Sequence, residues 1–259
     1  MSEPRSAEHP VLQTHGLSIR FGGHVAVNQV SCAFHPGTLT AIVGPNGAGK
    51  TTYFNLISGQ LRPSAGRVTL YGEDITALAA PQRTRRGMGR AFQLTNLFPQ
   101  LSVLENVRLA VQSHAGMGMN LFSVWASHVE LIERAEHYLY RVKLADRRDA
   151  PAAALAHGDQ RKLEVAILLA LDPDLFMFDE PTAGMSVDEV PVILELIHEI
   201  KNQGDKTILL VEHKMDVVRS LADRIIVLHQ GELVADGEPA QVIASPIVQQ
   251  AYLGLVGHE

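Results

Sequence analysis

The stretch GPNGAGKTT at residues 44–52 has the residue types and the spacing that point most directly to chemistry. It fits the pattern G-x-x-x-x-G-K-[ST], with Gly44, Gly49, Lys50 and Thr51 at the defined positions. Glycines let a loop approach a ligand so closely that backbone N–H groups point at phosphate oxygens, and a following helix adds the positive end of its dipole. The pattern therefore predicts a loop that binds the phosphates of a nucleotide.

The side chains of this loop have separate expected roles. We expect the Lys50 ammonium to reach the β- and γ-phosphates of ATP, the Thr51 hydroxyl to bind Mg²⁺, and Thr52 to donate to a phosphate. ATP and Mg²⁺ are thus the cofactors that the motif implies. The loop residues expected to bind ATP are Gly44, Pro45, Asn46, Gly47, Ala48, Gly49, Lys50, Thr51 and Thr52.

An acidic pair follows a second apolar run in LFMFDEP at residues 175–181. The run predicts a buried strand, and Asp179 stands at its C-terminal end, where α/β sheets bind ligands. Consecutive carboxylates suit divided roles, with Asp179 on the metal and Glu180 orienting or deprotonating the attacking water. His213 follows another strand, TILLVE, and by the same rule would lie near the γ-phosphate, where an imidazole can bridge phosphate and water.

The elements that must position these residues follow a β-rich, then helical, then α/β order along the chain. Continuous or alternating apolar runs predict strands in the first ninety residues and again in the last third. Between about residues 102 and 171 the spacing is helical, and Leu131, Ala135, Leu139 and Val142 fall on one helix face. The predicted fold class is therefore α/β, with a helical insertion of about 60–70 residues in the core.

The composition of the chain indicates which kinds of partner it binds and in which cellular compartment it works. The chain has 259 residues and a net charge of −6, which argues against a nucleic-acid partner. Its single cysteine, Cys32, excludes an internal disulfide framework, fits a reducing compartment and is expected in the core. The N-terminus lacks the apolar segment of a signal peptide, and the apolar run 165–178 is broken by Asp172, Pro173 and Asp174. We expect a chain that is soluble or held at a membrane by a partner.

These motifs together resemble the nucleotide-binding domain of the ATP-binding-cassette (ABC) ATPases over almost the whole chain. In that family LAHGDQ, residues 155–160, occupies the place of the signature motif Leu-Ser-Gly-Gly-Gln. Gln93 matches the glutamine that contacts Mg²⁺ or water, Phe21 the aromatic residue that stacks on adenine, and His213 the switch histidine. The resemblance also implies signature residues that act on a partner's ATP, namely Ala156, His157, Gly158, Asp159 and Gln160, and D-loop residues Gly184, Met185 and Ser186.

The resemblance implies a P-loop NTPase (RecA-like) core with an antiparallel β subdomain and an inserted α-helical signature subdomain. The expected boundaries are a tail at residues 1–10, the ATP-binding core with its β subdomain and C-terminal extension at 11–95 and 161–259, and the helical subdomain at 96–160. Gly158 permits close backbone approach, and the helix beginning near Gln160 has free N–H groups. Two ATP molecules would then each be sandwiched between one phosphate loop and the opposite signature helix.

The signature and D-loop segments depart from the family pattern at four positions. Ala156 replaces a serine and removes a hydroxyl that would contact the γ-phosphate, and His157 replaces a glycine. Asp159 stands at the glutamine position, and Ser186 stands where the D-loop has an aspartate. If the chain pairs with a different ATPase subunit, the two composite sites need not be equally active.

Within the family, four segments resemble the ATP-binding subunit of branched-chain amino acid importers, including relatives that import urea or amides. They are FGGHVAVNQVS, RAFQLTNLFPQLSVLENV, DEPTAGMSVDE and QQAYLG. The resemblance implies a cytoplasmic chain on the inner face of the cell membrane, with membrane permeases, a second identical or paralogous ATP-binding subunit and, indirectly, a periplasmic binding protein. A lipopolysaccharide-export ATPase, a soluble non-transport ABC ATPase and a small-molecule phosphotransferase are the alternatives.

Two further segments have open interpretations. Arg83, Arg85, Arg86 and Arg90 form a basic cluster, for which a solvated loop is favoured over a functional patch. In the segment after Gln93, which cradles a permease helix in the family, Leu97 and Phe98 form either a docking surface or ordinary core packing.

Overall fold

The computed structural model describes residues 9–91, 97–116 and 129–253. The chain forms two compact units. The first comprises Met1–Met88, Asp174–Glu180 and Ile200–Glu259, and the second comprises Gly89–Pro173 and Pro181–Glu199. The predicted helical subdomain, residues 96–160, falls within the range of the second unit, and its assignment as a signature subdomain stays a prediction.

The described helices and strands follow the β-rich, then helical, then α/β order that the apolar pattern predicts. In chain order they are β1 (Leu12–Phe21), β2 (His24–Phe34), β3 (Leu39–Val43), α1 (Lys50–Ser58), β4 (Ala65–Leu70), β5 (Glu73–Asp74), α2 (Ala80–Thr84), β6 (Met88–Ala91), α3 (Val103–His114), α4 (Val129–Arg141), α5 (His157–Leu171), β7 (Leu175–Asp179), α6 (Val190–Asn202), β8 (Thr207–Val211), α7 (Met215–Leu221), β9 (Arg224–His229), β10 (Glu232–Gly237), α8 (Pro239–Ala244) and α9 (Pro246–Leu253).

The first unit contains an antiparallel sheet in the order β2-β1-β4-β5. Its register shifts between Thr14 and Leu17, where Gly16 takes the left-handed backbone conformation that suits a bulge. The sheet shares one core with α1 and with one face of the parallel strands, through residues such as Leu12, Phe34 and Phe54. This sheet is the antiparallel β subdomain that the resemblance implies.

Five strands of a second sheet also belong to the first unit, in the order β10-β9-β3-β8-β7. β3 pairs in parallel with β8 and β9, β8 pairs in parallel with β7, and β10 closes an antiparallel hairpin with β9 through Gln230 and Gly231. Along β3, Ile42 faces the core shared with α1, whereas Ala41 and Val43 face a second core with α7 and α8. Burial on both faces explains why the strand reads as a continuous apolar run.

The second unit contains α3, α4 and α5, which pack together, and most of α6. Leu131, Ala135, Leu139 and Val142 are all buried, which confirms the predicted helix face. Ser102 accepts a hydrogen bond from the backbone N–H of Glu105 and caps α3. These helices form a packed body in their own right, as an insertion into an α/β core requires.

Two smaller expectations are also met. Cys32 is a buried free thiol, and burial raises its pKa to about 11. The apolar run 165–178 divides between the end of α5 and the start of β7, at Asp172, Pro173 and Asp174. Within the described residues, no helix is long and apolar enough to cross a membrane.

The solvated-loop interpretation of the arginine cluster is wrong for Arg83, which is only 1% exposed. Its guanidinium donates to the carbonyl oxygens of Leu56 and Ile57, in the last turn of α1, and to those of Leu78 and Thr76. A helix C-terminus leaves carbonyl groups without intrahelical donors, and a buried guanidinium with several donors satisfies them. Burial lowers the pKa of Arg83 to about 10, opposed by the charge of Asp74.

Replacing Arg83 with Met should lower the free energy of unfolding by about 3 kcal/mol, because four carbonyl groups, two of them in buried contacts, lose a donor at once. Urea denaturation followed by circular dichroism measures this loss. Arg86→Met is the matched control, since Arg86 is exposed and lies 3.7 Å from Glu73, a surface pair expected to contribute less than about 1 kcal/mol. Equal losses in the two variants would contradict the capping role.

Candidate functional site

The predicted catalytic and phosphate-binding residues of the first unit follow three adjacent parallel strands. The phosphate loop follows β3, Asp179 ends β7, and Glu180 comes next in the chain, while His213 lies two residues after β8. Val211 of β8 is paired both with Ile42 of β3 and with Asp179 of β7. Because parallel strands present their carboxyl ends at one edge, the fold brings all these residues to that edge.

The phosphate loop depends on glycines in backbone conformations that other residues avoid. Gly47 and Gly49 have φ values of 79° and 95°, and Gly49 is the N-cap of α1. A Cβ on Gly49 would collide with the carbonyl oxygen of Ala26. In α1, which is described throughout, neither a capping side chain nor an acidic first-turn residue competes for the N-terminal N–H groups. The loop thus presents a positive helix end to an anion.

Lys50 is a buried lysine held inside its own loop. Its ammonium donates to the carbonyl oxygens of Gly44 at 2.8 Å and of Pro45 at 2.9 Å. Burial lowers the pKa of Lys50, and the negative charges of Glu180 and Asp179 oppose that shift. The two backbone carbonyl groups therefore hold the ammonium beside the loop.

Glu180 and His213 are brought together, although they are 33 positions apart in the chain. A carboxylate oxygen of Glu180 is in hydrogen-bond contact with Nε2 of His213, and both side chains remain partly exposed. The backbone N–H of Glu180 donates to Val211, and its φ of 52° turns the chain away from β7. In the turn that carries the imidazole of His213, Glu212 is buried and accepts from the backbone N–H groups of His213 and Lys214. These hydrogen bonds fix the turn.

The predicted signature residues lie at the start of α5 in the second unit. Ala156 is the N-cap residue and offers no side-chain acceptor, and α5 begins at His157. Gln160 folds back to donate to the carbonyl oxygen of Leu155 at 3.1 Å. Asp159 is ion-paired with Lys162 at 2.9 Å. The absence of a capping side chain in this fully described helix leaves its first N–H groups to water or to a ligand.

The predicted D-loop residues lie close to this helix start, within the same unit. A Cβ on Gly184 would be 3.0 Å from Cδ2 of His157, so that the imidazole packs over the glycine. Ser186 and Glu189 close a turn, in which the Glu189 carboxylate accepts from the backbone N–H and the hydroxyl of Ser186 at 3.0 and 2.9 Å. The same carboxylate is 2.9 Å from the Lys162 ammonium.

Three further predicted residues, Phe21, Gln93 and Phe98, belong to neither of the two groups described above. Phe21, expected to stack on adenine, is exposed at the end of β1. Gln93 lies outside the described residues. Phe98 is 55% exposed, and its backbone is held by the buried amide of Asn106, so that this residue is not core packing.

Sequence reasoning missed three residues that organise these sites, namely Glu212, Lys162 and Glu189. Two local signals were available. Ser186 to Glu189 is the Ser-x-x-Glu capping-box pattern, and Asp159 and Lys162 have the i,i+3 spacing of a helical ion pair. Neither pattern reveals that Lys162 and Glu189 meet, because that contact joins segments 27 residues apart.

Comparison with known proteins gives this geometry its context. The model of the family described as ABC transporter matches residues 27–183. The chain belongs to the ABC transporter family. One relative of this ABC chain is the high-affinity branched-chain amino acid transport ATP-binding protein LivG of Escherichia coli K12. The two are 39% identical over 252 residues, which cover 95% of this chain and 98% of LivG.

Solved structures of ABC cassettes have the same fold. The ADP conformation of MJ1267, an ATP-binding cassette of an ABC transporter, is 29% identical with a TM-score of 0.78, covering 95% of this chain and 99% of that one. A dimeric post-hydrolysis state of the ATP-binding cassette MJ0796, bound to ADP and Pi, is 25% identical with a TM-score of 0.76, covering 88% and 98%. The predicted α/β P-loop fold and the predicted class, a nucleotide-binding, ATP-hydrolysing subunit of an ABC transporter, are thereby confirmed.

Gly49→Ala should lower the free energy of unfolding of this ABC chain by about 3 kcal/mol or more without nucleotide, because an alanine is strained at φ 95° and overlaps Ala26. Gly47→Ala is the matched control. Its φ is 79°, but a Cβ there meets no atom of the described residues within 4 Å, so that a loss of about 1 kcal/mol is expected. Urea denaturation compares the two, and similar losses would show that packing against Ala26 is unimportant.

Proposed function

We propose that this chain energises the uptake of branched-chain amino acids or related small amides by ATP-driven closure of two ATP-binding subunits. The observation that carries this proposal is the convergence of the phosphate loop, Asp179 and the Glu180–His213 pair at one edge of the parallel strands. The similarity to LivG over nearly its full length supports the substrate class.

The oxygen donors at this edge fit magnesium. The Thr51 hydroxyl is exposed at the start of α1, and Asp179 supplies one carboxylate at the end of β7. Mg²⁺ prefers hard oxygen ligands and is usually held by one or two protein groups together with substrate phosphates. Thr51 and Asp179, with Gln93 as a further expected contact, would hold the ion, which when bound neutralises charge on the β- and γ-phosphates.

Glu180 is the expected general base. Its carboxylate would take a proton from the water that attacks the γ-phosphate, and His213 holds that carboxylate in one orientation through Nε2. Lys50 would donate to the transferred phosphate, and the N–H groups of the loop would accommodate the developing charge. Phe21 would stack on the adenine ring.

The start of α5 is the expected second half of a nucleotide site. Its residues, Ala156 to Gln160, would meet the ATP bound to the phosphate loop of another ATP-binding subunit, identical or paralogous. Free N–H groups at this helix start favour an anion, and Ala156 contributes no hydroxyl, so that backbone donors would provide the contact. The dimeric MJ0796 cassette supports association of this kind.

The other expected partners are membrane permeases, with a periplasmic substrate-binding protein acting through them at the inner face of the cell membrane. Exposed Phe98, held by Asn106, is part of the surface expected to contact a permease. Copurification of two permeases, and binding of leucine or a small amide by the associated binding protein, tests the substrate class. Copurification with lipopolysaccharide-export components would contradict it, and purification without permeases would favour a soluble ABC ATPase.

Glu180→Gln should lower the ATP hydrolysis rate by about a thousandfold, because an amide cannot accept the proton from water, while ATP affinity changes by less than about threefold. Phosphate release measures the rate, and calorimetry measures the affinity. Glu195→Gln, at an exposed position on α6, is the matched control and should keep the normal rate. Near-normal turnover in Glu180→Gln would remove Glu180 as the base.

The Glu180→Gln variant also tests closure. Held with ATP and Mg²⁺, and with its proper partner subunit present, it should associate in a light-scattering measurement and dissociate when nucleotide is removed. Failure to associate would contradict the composite nucleotide site.

Lys50→Ala should weaken ATP binding by about thirtyfold, since it removes a charge-assisted hydrogen bond to the β- and γ-phosphates. Lys201→Ala is the control, because Lys201 is an ion-paired lysine in the same unit, 2.7 Å from Asp223. Unchanged ATP affinity of Lys50→Ala by calorimetry would count against the role of the loop in phosphate binding.

A further inference from the structure

Four side chains form a hydrogen-bonded chain between the start of α5 and the D-loop. The members of this Lys162 cluster are Asp159, Lys162, Ser186 and Glu189. Lys162 is 8% exposed, and its ammonium lies 2.9 Å from a carboxylate oxygen of Asp159 and 2.9 Å from one of Glu189. The second oxygen of Glu189 accepts from the backbone N–H and the hydroxyl of Ser186. Each donor therefore has a carboxylate acceptor, and the D-loop turn is tied to the helix.

The carboxylate of Glu189 also occupies the space beside the signature glycine. A Cβ on Gly158 would overlap both oxygens of Glu189, and Gly158 itself is buried. Sequence reasoning assigns this glycine to close approach of a ligand. In this chain a Cβ at residue 158 would also displace the carboxylate of Glu189, the residue that ends the D-loop turn.

The charges of the Lys162 cluster do not cancel. Two carboxylates and one ammonium leave a net charge of −1 at a helix start that is expected to meet a triphosphate. Without Lys162 the same place would carry two uncompensated negative charges, which would oppose the approach of an anion. The ammonium both joins the two segments and offsets much of this repulsion.

The charge state of the pair is stable near neutral pH. The hydrogen bond from Lys162 is the largest cause that lowers the pKa of Glu189 to about 2, followed by the backbone N–H of Ser186. Burial would lower the pKa of Lys162, but hydrogen bonds to Asp159 and Glu189 outweigh it and the pKa is raised. The Lys162 ammonium and the Glu189 carboxylate therefore both remain ionised near neutral pH, and their ion pair persists there.

We infer that Lys162 and Glu189 are positioning residues that hold Gly158 and the first turn of α5 in the conformation required to engage the ATP of the opposite subunit. Their proposed role is exerted through the backbone of residues 156–160 and involves no direct contact with ATP. The inference rests on the composite nucleotide site described under Proposed function. It explains why an aspartate is tolerated at residue 159, since Lys162 lies between that carboxylate and Glu189.

The test is ATP-driven association of the full-length chain carrying Glu180→Gln, with its partner subunit present. Adding Lys162→Met should weaken this association by about tenfold, whereas Lys162→Arg, which keeps the charge and the reach, should restore most of it. ATP binding to the chain's own phosphate loop, measured by calorimetry without association, should be unchanged in both. Lys201→Met, at another ion-paired lysine, is the matched control and should associate like the parent.

Glu189→Gln is a second variant that separates loss of the ion pair from loss of folding. It removes the ion pair with Lys162, while its amide oxygen can still accept a hydrogen bond from Ser186. It should also weaken association. The double variant Lys162→Met/Glu189→Gln should associate no more weakly than the weaker single variant, because Lys162→Met already breaks the ion pair that Glu189→Gln removes. Additive losses in the double variant would overturn the inference. So would normal association of Lys162→Met, or a loss that Lys162→Arg does not rescue.

The failure of the inference is distinguishable from the failure of the proposed function. If the Glu180→Gln parent does not associate with its partner subunit when ATP is added, the composite site is wrong, and the positioning role is then overturned as well. If the parent associates and Lys162→Met associates equally well, the composite site stands and only the role of Lys162 and Glu189 is overturned.

Discussion

Parallel pairing of β7, β8 and β3 is the constraint on which the functional geometry of this protein depends. Each strand ends at the same edge, so that the residues just beyond the three ends become neighbours even though long stretches of chain separate them. The phosphate loop, the acidic pair Asp179–Glu180 and His213 have no other reason to meet. The antiparallel sheet and α1 support this arrangement by burying one face of the same strands.

Buried polar groups in the first unit are used to hold functional backbone in place. Arg83 satisfies carbonyl groups at the C-terminus of α1, the helix whose N-terminus ends the phosphate loop. Glu212 fixes the turn before the imidazole of His213, and Lys50 is held by carbonyl oxygens of its own loop. In each case a charged side chain bonds to backbone groups, so that a loop, a turn or a helix end is stabilised.

The second unit shows how departures from a family motif are accommodated. Asp159 introduces a negative charge at the position expected to match a glutamine of the signature motif, and Lys162 pairs with it. Ser186 is expected to stand where the D-loop has an aspartate, and its hydroxyl and N–H both donate to Glu189. Asp159 thus has a partner of opposite charge, and Ser186 has an acceptor for both of its donors. No capping side chain of the N-cap residue Ala156 competes for the first N–H groups of α5.

The sequence by itself determined the features that depend on spacing within one segment. The phosphate loop, the buried strand before Asp179 and the face of α4 each follow from local backbone preference and apolar period. Tertiary structure alone decided which segments meet. Arg83 could not be told from its exposed neighbours in sequence, because its burial depends on where the last turn of α1 lies. The contacts of Glu180 with His213 and of Lys162 with Glu189 join residues 33 and 27 positions apart, and such distances are set by packing of the whole unit and leave no periodic signal in the chain.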